Sequence, residues 1–404
     1  MDNKFKLTKV NTKKIIAYIA IFLLLYIDSS YCMTVTGTIS GTIRIGILFV
    51  VAVILFIVNL NKKLNIKQLL LLLYFIFSAI LCIIVNQEDI KNYIILLMAL
   101  LIGYIFAISL SFDYFIKLYN KIIAFLAIFS LGTFLLSIIY PSLISKFPII
   151  DVRYGTANVH NLFFSVCLSN NAFFRNYGLF WEPGAYQIFL NFALIFEMFF
   201  ADKMNKNRIC IYIITIITTF STTGYIALII ILLAYAIRYK KIKHKVFILL
   251  PIIIFIITIL FTKIMPQKYI NLVFDKLTGV FSEEASLKYT TKTRINAIIY
   301  PLKEFLNSPI LGVGYNRFEY VNRNYCDSVA TCTPINWFAL FGITWGITCV
   351  VLYIRIPIRL DISKISKMLL CMALLLIIST ESLLRIAFVY TMIFYSISIR
   401  KGKN

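Results

Sequence analysis

Apolar blocks of helix length recur along the whole chain of 404 residues. They run for roughly 17–22 residues, and about 20 residues of helix are needed to cross the ~30 Å of bilayer hydrocarbon. The composition agrees, because 61% of the residues are hydrophobic and only 14% are charged. The sequence therefore predicts an all-α polytopic integral membrane protein in which residues 1–404 form a single helical membrane domain.

The positions of the apolar blocks predict twelve spans. They are 14–31, 43–60, 67–86, 91–111, 120–140, 184–201, 208–221, 224–239, 246–263, 334–355, 368–381 and 385–399. Two pairs of short spans are divided at FSTTGY, residues 220–225, where Gly224 and three hydroxyl residues loosen the helix, and at STESLLR, residues 379–385. Two long segments, 141–183 and 264–333, are polar enough to build a site outside the lipid, and we predict both to be extracytoplasmic loops.

The net charge of +23 does not predict a nucleic-acid partner, because its distribution follows the membrane topology. With the N-terminus inside, the predicted cytoplasmic segments hold 25 Lys and Arg and the short outer loops hold 3. Such a bias fixes the orientation of a membrane protein. We predict a multi-pass membrane protein with both termini in the cytoplasm and a retained first helix rather than a cleaved signal peptide.

The sequence contains no metal-type ligand spacing, and its two histidines, His160 and His244, are far apart. We therefore predict no metal and no cofactor. Cys326 and Cys332 lie six residues apart in one predicted outer loop. A disulfide between them and two free thiols are both compatible with the sequence.

One segment concentrates polar chemistry among apolar residues, FFRNYGLFWEPGAYQ at 173–187. Pro183 suits the first turn of the sixth span, and Glu182 precedes it near the positive end of the helix dipole. Arg175 lies shortly before them. The segment is either an interfacial aromatic belt with a snorkelling arginine or part of a site at the outer end of the helices.

Three later features also have either a structural or a functional interpretation. Arg294 precedes the apolar part of the second long loop, where it is either an interfacial cation or a binding residue. Gly312 and Gly314 in NSPILGVGYNRF mark at least a tight turn. Asn336 opens the tenth span, as a helix cap or as a polar group that faces a cavity.

The order of these features resembles the bacterial O-antigen polymerase and O-antigen ligase family, membrane glycosyltransferases that use polyprenyl-diphosphate-linked sugars. The resemblance covers about residues 170–350 together with the number of spans, and each motif is short. The matching residues are Arg175, Gly178, Phe180, Glu182, Pro183, Ser221, Thr222, Gly224, Tyr225, Arg294, Ser308, Pro309, Gly312, Gly314 and Asn336.

The resemblance implies a GT-C-like fold and an enzyme that is independent of metal. The protein would lie in the bacterial inner (plasma) membrane. Its substrates would be undecaprenyl-diphosphate-linked oligosaccharide repeat units in that bilayer, with a chain-length regulator and a flippase as candidate partners. Arg175 and Arg294 would bind the diphosphate, which suits the planar, permanently charged guanidinium group. Glu182 would act as a base, with His160 as the next candidate, or would hold Arg175 in an ion pair. The predicted substrate-binding residues are Tyr177, Trp181, Tyr186, Thr222, Tyr225, Gly312, Gly314, Tyr315 and Asn336.

One departure from the family pattern favours a polymerase of O-antigen or another surface polysaccharide. Ligases of the family typically carry a histidine just before the asparagine, and this chain has Pro334 and Ile335 there. An O-antigen ligase is the nearest alternative. A transporter of lipid-linked oligosaccharide or polysaccharide is another, although charges within the predicted spans are few and Glu197 is the clearest. A purely structural membrane protein is the last alternative.

Overall fold

The computed structural model describes residues 2–59, 65–153, 157–169, 175–238, 285–326 and 331–399. Within these ranges the chain is mostly helical. The helices are α1 (Asp2–Ser29), α2 (Tyr31–Thr34), α3 (Gly41–Val58), α4 (Ile66–Val85), α5 (Ile94–Ser109), α6 (Phe112–Ile139), α7 (Pro141–Ile144), α8 (Pro183–Ile195), α9 (Lys206–Thr218), α10 (Thr222–Arg238), α11 (Ala285–Asn307), α12 (Gly314–Tyr325), α13 (Thr333–Ile358), α14 (Lys364–Ile378) and α15 (Ala387–Ser398).

Five helical segments in the described part of the chain are long and apolar enough to cross a membrane. They are Gly41–Val58, Ile66–Val85, Phe112–Ile139, Pro183–Phe200 and Thr333–Ile358, with shorter apolar helices at Ile94–Ser109, Thr222–Arg238 and Ala387–Ser398. The helical membrane protein is thus confirmed in outline. The count of twelve spans stays a prediction, and the ninth predicted span, 246–263, lies outside the described residues together with His244 and residues 264–284.

Helix α8 lies at the centre of the helix bundle. Nearly all its side chains are buried, and phenylalanines dominate its contacts. The ring of Phe388 in α15 packs against those of Phe189 and Phe192, with centroids 5.3 and 5.1 Å away. Because α8 is buried on all sides, the residues at its two ends are placed by the whole bundle rather than by one neighbouring helix.

The C-terminal end of α8 continues as a π-helical turn, Phe196–Phe200, which holds the buried Glu197. Its carboxylate accepts hydrogen bonds from the Asn120 side chain at 2.8 Å and the Asn205 backbone N–H at 2.8 Å, and it pairs with Arg208 at 3.2 Å. A buried carboxylate with this many donors joins α6, α8 and α9 at one end of the bundle. Glu197 therefore has a structural role at the end opposite Glu182.

The first long loop contains a small three-stranded antiparallel sheet, which the all-α prediction missed. Its strands are β1 (Ile149–Arg153), β2 (Ala157–Asn161) and β3 (Val166–Ser169), in the order β1-β2-β3. Residues of β2 and β3 are largely buried against the helices. Only β1 is rich in β-branched residues, and all three strands are four or five residues long, so the pattern is too brief to stand out beside long apolar blocks.

The two predicted helix breaks are present. The first lies between α9 and α10, where Phe220 adopts a left-handed φ of 49°. The break is shorter than FSTTGY, since α10 already begins at Thr222. Gly224 lies inside α10, where a Cβ would approach the Gln187 side chain of α8 to 2.9 Å. The second break separates α14 from α15 and contains Glu381.

Candidate active site

Loops that are distant in sequence meet at one end of the helices, which we call the site end. The Tyr31 N–H donates to the Leu179 carbonyl at 3.0 Å, and Glu88 accepts from the Tyr315 N–H at 2.8 Å. The site end thus unites the loops after α1 and α4, the first long loop, the α9–α10 break, α12 and the α14–α15 break. The charge distribution predicts that this end faces away from the cytoplasm.

The turn that presents the site is built by Asn176 and Gly178. The Asn176 N–H donates to the Thr218 carbonyl, and its amide donates to the Thr218 hydroxyl, both at 2.9 Å. Its side-chain oxygen accepts from the Gly178 N–H at 2.9 Å. Gly178 has a φ of +52°, and a Cβ there would lie 2.5 Å from the Tyr186 ring. Only glycine fits this turn, which fixes the path from Arg175 to Glu182.

Arg175 is anchored to the helix break beside it. Its Nε donates to the Thr219 carbonyl at 2.9 Å, and its Nη2 donates to the Phe220 carbonyl at 3.2 Å. The last carbonyls of a helix have no partner within the helix and carry the negative end of its dipole, so a cation is favourable there. The break at the end of α9 therefore orients the guanidinium group.

We expect Arg175→Lys to destabilise the folded protein by about 1–3 kcal/mol, the usual contribution of a hydrogen bond to a charged group. A lysine keeps the positive charge but cannot reproduce the planar fork that reaches both carbonyls. Thermal unfolding in detergent measures the effect. Arg323→Lys is the matched control, because Arg323 is exposed and its pair with Glu319 on α12 contributes little. Equal unfolding temperatures for the two variants would contradict the anchoring role.

Glu182 lies at the N-cap of α8 and faces a second carboxyl group, that of Glu381. The two side chains are hydrogen-bonded to one another, and the Trp181 indole N–H donates to Glu381 at 3.3 Å. Pro183 occupies the first turn of α8, as predicted. The site therefore contains a pair of carboxyl groups, of which the sequence motifs indicated only one.

The two carboxyl groups have pKa values displaced in opposite directions. Burial raises the pKa of the Glu381 carboxyl well above its ordinary value, and the hydrogen bond and negative charge of Glu182 raise it further. Burial acts in the same sense on Glu182, but the hydrogen bond from Glu381 and nearby positive charge outweigh it and hold the Glu182 pKa below its usual value. The hydrogen bond between the two carboxyl groups needs one proton, and the opposite directions of the two pKa shifts favour its place on Glu381.

Three arginines supply that positive charge, and they come from three parts of the chain. Arg175, Arg153 and Arg294 each lower the Glu182 pKa, in that order of effect. Arg153 lies at the end of β1, and Arg294 lies on α11 in the other long loop. The structure therefore brings Arg175, Arg294 and Glu182 together, and it adds Arg153, which sequence reasoning missed.

Arg153 is held between aromatic rings. Its guanidinium carbon lies 4.9 Å from the centroid of the Tyr31 ring and 5.9 Å from that of Tyr177. The Tyr31 hydroxyl in turn donates to Asp151 at 2.6 Å. Cation–π contacts on two sides position the arginine near Glu182. The buried Tyr177, predicted to bind substrate, thus has a supporting position beneath Arg153.

The other predicted aromatic residues have different surroundings. Tyr186 is completely buried and hydrogen-bonded to Ser130 at 2.9 Å, so its ring offers no face to a sugar. Tyr315 is also buried, beneath the guanidinium of Arg385 at 4.7 Å. Trp181 is half-buried beside the carboxyl pair and is the aromatic residue best placed for a substrate.

Four further residues that were predicted to bind substrate make contacts with other parts of the chain. Thr222 begins α10, and the Tyr225 hydroxyl donates to the Ile217 carbonyl at 2.6 Å. A Cβ at Gly312 would lie 2.3 Å from the Leu340 carbonyl carbon, and one at Gly314 would lie 2.6 Å from the Glu88 carboxylate. Both glycines thus allow a close approach within the protein, and a role for any of the four in binding substrate stays a prediction.

Asn336 does not cap α13, because the helix begins at Thr333 and the cap position is Cys332. Asn336 is buried in the first turn of α13. Cys326 and Cys332 are both buried and are not joined by a disulfide, so the disulfide alternative is not realised in this structure. His160 lies in β2 with Nδ1 2.8 Å from the Phe147 carbonyl and Nε2 2.7 Å from the Ser169 hydroxyl. With both nitrogens engaged, His160 is poorly suited to act as a base.

Part of the chain matches a known family model. Residues 209–354 match the family model described as O-antigen ligase, which confirms the resemblance drawn from the motifs. The match includes Arg294, Gly312, Gly314 and Asn336, and it ends before the segment that holds Glu381. Arg175 and Glu182 precede it. No curated protein matches the chain.

Proposed function

We propose that the protein is a polymerase of O-antigen or a related surface polysaccharide in the bacterial inner membrane. It transfers a growing glycan from undecaprenyl diphosphate to the non-reducing end of a second lipid-linked repeat unit. The family match over residues 209–354 supports chemistry of the ligase and polymerase type on lipid-linked sugars. The observation that carries the proposal is the meeting of Arg175 and Arg294, from separate long loops, at the ionised Glu182.

The arginines suit the leaving group of this reaction. As the bond from the sugar to the diphosphate breaks, negative charge grows on the phosphate oxygens, and fixed guanidinium groups can stabilise it. Arg294 is exposed and can contact the diphosphate directly. Arg175 is held by the carbonyls of the α9–α10 break, so it supplies a fixed positive charge beside the diphosphate. Arg175 and Arg294 together carry two positive charges against the one negative charge of Glu182, so net positive charge remains to bind the diphosphate.

Glu182 is the proposed general base. The hydroxyl oxygen of the acceptor attacks the anomeric carbon of the donor, and a new carbon–oxygen bond forms. The anomeric bond to the diphosphate breaks, and its electron pair leaves with the phosphate oxygen. The hydroxyl proton moves to the Glu182 carboxylate. Binding of the diphosphate offsets the arginine charges that lower the Glu182 pKa, so Glu182 becomes a stronger base when the donor is in place.

The second candidate function is that of a ligase, since the matching family model is described as O-antigen ligase. The polymerase is favoured because Pro334 and Ile335 precede Asn336 where ligases of the family typically carry a histidine. The groups that act on the Glu182 carboxyl are Glu381 and the three arginines, and His160 is engaged in the sheet.

Purified full-length protein in detergent, given only undecaprenyl-diphosphate-linked repeat units, is expected to produce a ladder of glycan lengths on a gel. A ligase needs a lipid A–core acceptor and would give no ladder from repeat units alone. A transporter would form no new bond in either reaction. The same distinction appears in cells, where deletion of a polymerase gene leaves core with a single repeat unit and deletion of a ligase gene leaves no surface O-antigen. Transfer to lipid A–core without a ladder would overturn the polymerase assignment.

A further inference from the structure

Glu381 is a buried acid that none of the sequence motifs includes. It lies in the break between α14 and α15 and is 9% exposed. Its backbone carbonyl accepts from the Thr333 hydroxyl at 2.6 Å, and that hydroxyl accepts from the Leu383 N–H at 2.8 Å. The first turn of α13 therefore fixes the main chain around Glu381, which keeps its side chain directed at the site.

The two carboxyl groups lie on either side of the space next to Gly184. A Cβ on Gly184 would lie 2.7 Å from Oε1 of Glu381 and 2.9 Å from Oε1 of Glu182. Both oxygens thus border the same small space above the first turn of α8. The two carboxyl groups are also hydrogen-bonded to one another, and such a bond needs a proton on one of them. The indole N–H of Trp181 occupies the other oxygen of Glu381 at 3.3 Å.

We propose that Glu381 is a positioning residue that holds the single proton of the carboxyl pair and, through that proton, orients the ionised Glu182 toward the acceptor hydroxyl. This inference rests on the proposed function and adds a residue to it. Protonated Glu381 donates a hydrogen bond to one oxygen of Glu182. The other oxygen of Glu182 then receives the proton of the attacking hydroxyl.

The carboxyl pair holds the same number of protons before and after one turnover. Before reaction the pair holds one proton, on Glu381. The acceptor hydroxyl gives a second proton to Glu182 as the new glycosidic bond forms and the diphosphate leaves. The pair then holds two protons, and Glu182 returns its proton to water before the next acceptor binds. Glu381 stays protonated throughout, so its role is to orient Glu182 and not to transfer a proton.

The charged groups around the pair set the pH dependence. The groups that act on the pair are Arg175 beside the α9–α10 break, Arg153 on β1 and Arg294 on α11. Activity needs Glu182 ionised and Glu381 protonated. It is therefore lost as pH falls through the lowered Glu182 pKa, and it is lost again as pH rises through the raised Glu381 pKa. The alkaline loss is expected above the ordinary range of carboxyl pKa values, because burial and the neighbouring Glu182 raise the pKa of Glu381.

Glu381→Gln tests the inference through the pH profile of polymer formation in the detergent assay. The glutamine amide still donates a hydrogen bond to Glu182 but does not titrate. We expect a rate at neutral pH lowered by roughly tenfold or less, far below the loss on removing a general base. The alkaline loss of activity should disappear while the acid loss remains. Glu319→Gln on the exposed face of α12 is the control and should retain both limbs.

Three results would overturn the role of Glu381. The first is an alkaline limb that is unchanged in Glu381→Gln. The second is wild-type activity that stays constant from neutral pH up to the alkaline pH at which the protein unfolds, a measurement that needs no variant and holds even if Glu381→Gln fails to fold. The third is a Glu381→Gln variant as inactive as Glu182→Gln. In each case a ladder from wild-type protein that disappears in Arg294→Ala would leave the proposed polymerase function standing.

Discussion

Arg294→Ala is expected to lower polymer formation by about 10²–10³-fold, the usual loss when one fixed donor to a developing oxyanion is removed. The guanidinium of Arg294 acts on both carboxyl groups of the pair, yet its side chain is exposed on α11. Because little packing depends on it, the variant should fold normally. The measurement is the amount of glycan polymer that the purified variant makes from lipid-linked repeat units.

Lys292→Ala is the matched control for Arg294. Lys292 is exposed on the same helix two residues earlier, and its removal takes away one positive charge without touching the carboxyl pair. A loss confined to Arg294→Ala therefore reflects the position of that charge and not the net charge of the loop. Arg294→Lys should be nearly as inactive as the alanine variant if two phosphate oxygens must be bound together. Polymer of full length and normal yield from Arg294→Ala would refute the diphosphate role.

The charge pattern and the apolar blocks predicted the helical architecture because both are local in sequence. Lengths near that of the bilayer and interruptions by hydroxyl residues are enough to predict that α9 and α10 are separate helices. The cause assigned to that interruption was wrong in detail. Phe220, not Gly224, adopts the left-handed conformation, and Gly224 allows α8 and α10 to approach one another. A glycine in an apolar block has two possible uses, and the sequence does not distinguish them.

The candidate site was predicted in part for a related reason. Arg175, Glu182 and Arg294 lie in recognisable motifs, and the structure brings them together. Glu381 and Arg153 lie in no such motif, and their nearness to Glu182 depends on tertiary packing between distant segments. The only available signal was indirect: Glu381 is an acid in the middle of a predicted break between two apolar helices. The segment that contains Glu381 was predicted to be a helix break and not part of a site.

The motif around Gly312 has a structural explanation that the sequence did not supply. Helix α13 is interrupted at Gly342, whose φ is +78° and ψ is −173°. The loop before α12 packs into this interruption, where the Ile343 N–H donates to the Pro309 carbonyl at 2.7 Å and the Val313 N–H donates to the Ala339 carbonyl at 2.9 Å. Two stretches of backbone are thus in direct contact, and each needs a glycine at the point of closest approach.

Gly342→Ala is expected to destabilise the protein by about 3 kcal/mol or more. Its backbone conformation is one that residues with a Cβ rarely adopt, and a Cβ would lie 2.1 Å from the Ile310 carbonyl oxygen. The obstacle is backbone and cannot rotate away, so either α13 straightens or the loop leaves it. Thermal unfolding in detergent should begin roughly 5 °C or more below that of the unaltered protein.

Gly132→Ala is the control for Gly342→Ala, because a Cβ at Gly132 in α6 meets nothing within 4 Å. That substitution should leave stability unchanged or raise it by up to about 1 kcal/mol, since alanine favours the helix more than glycine does. Gly342→Ala should also lose activity, because the displaced loop joins α11, which carries Arg294, to α12. A Gly342→Ala variant as stable as Gly132→Ala would mean that α13 is not interrupted at this residue. The loop between α11 and α12 would then lack its backbone contacts with α13, and the position of Arg294 on α11 would not be fixed through them.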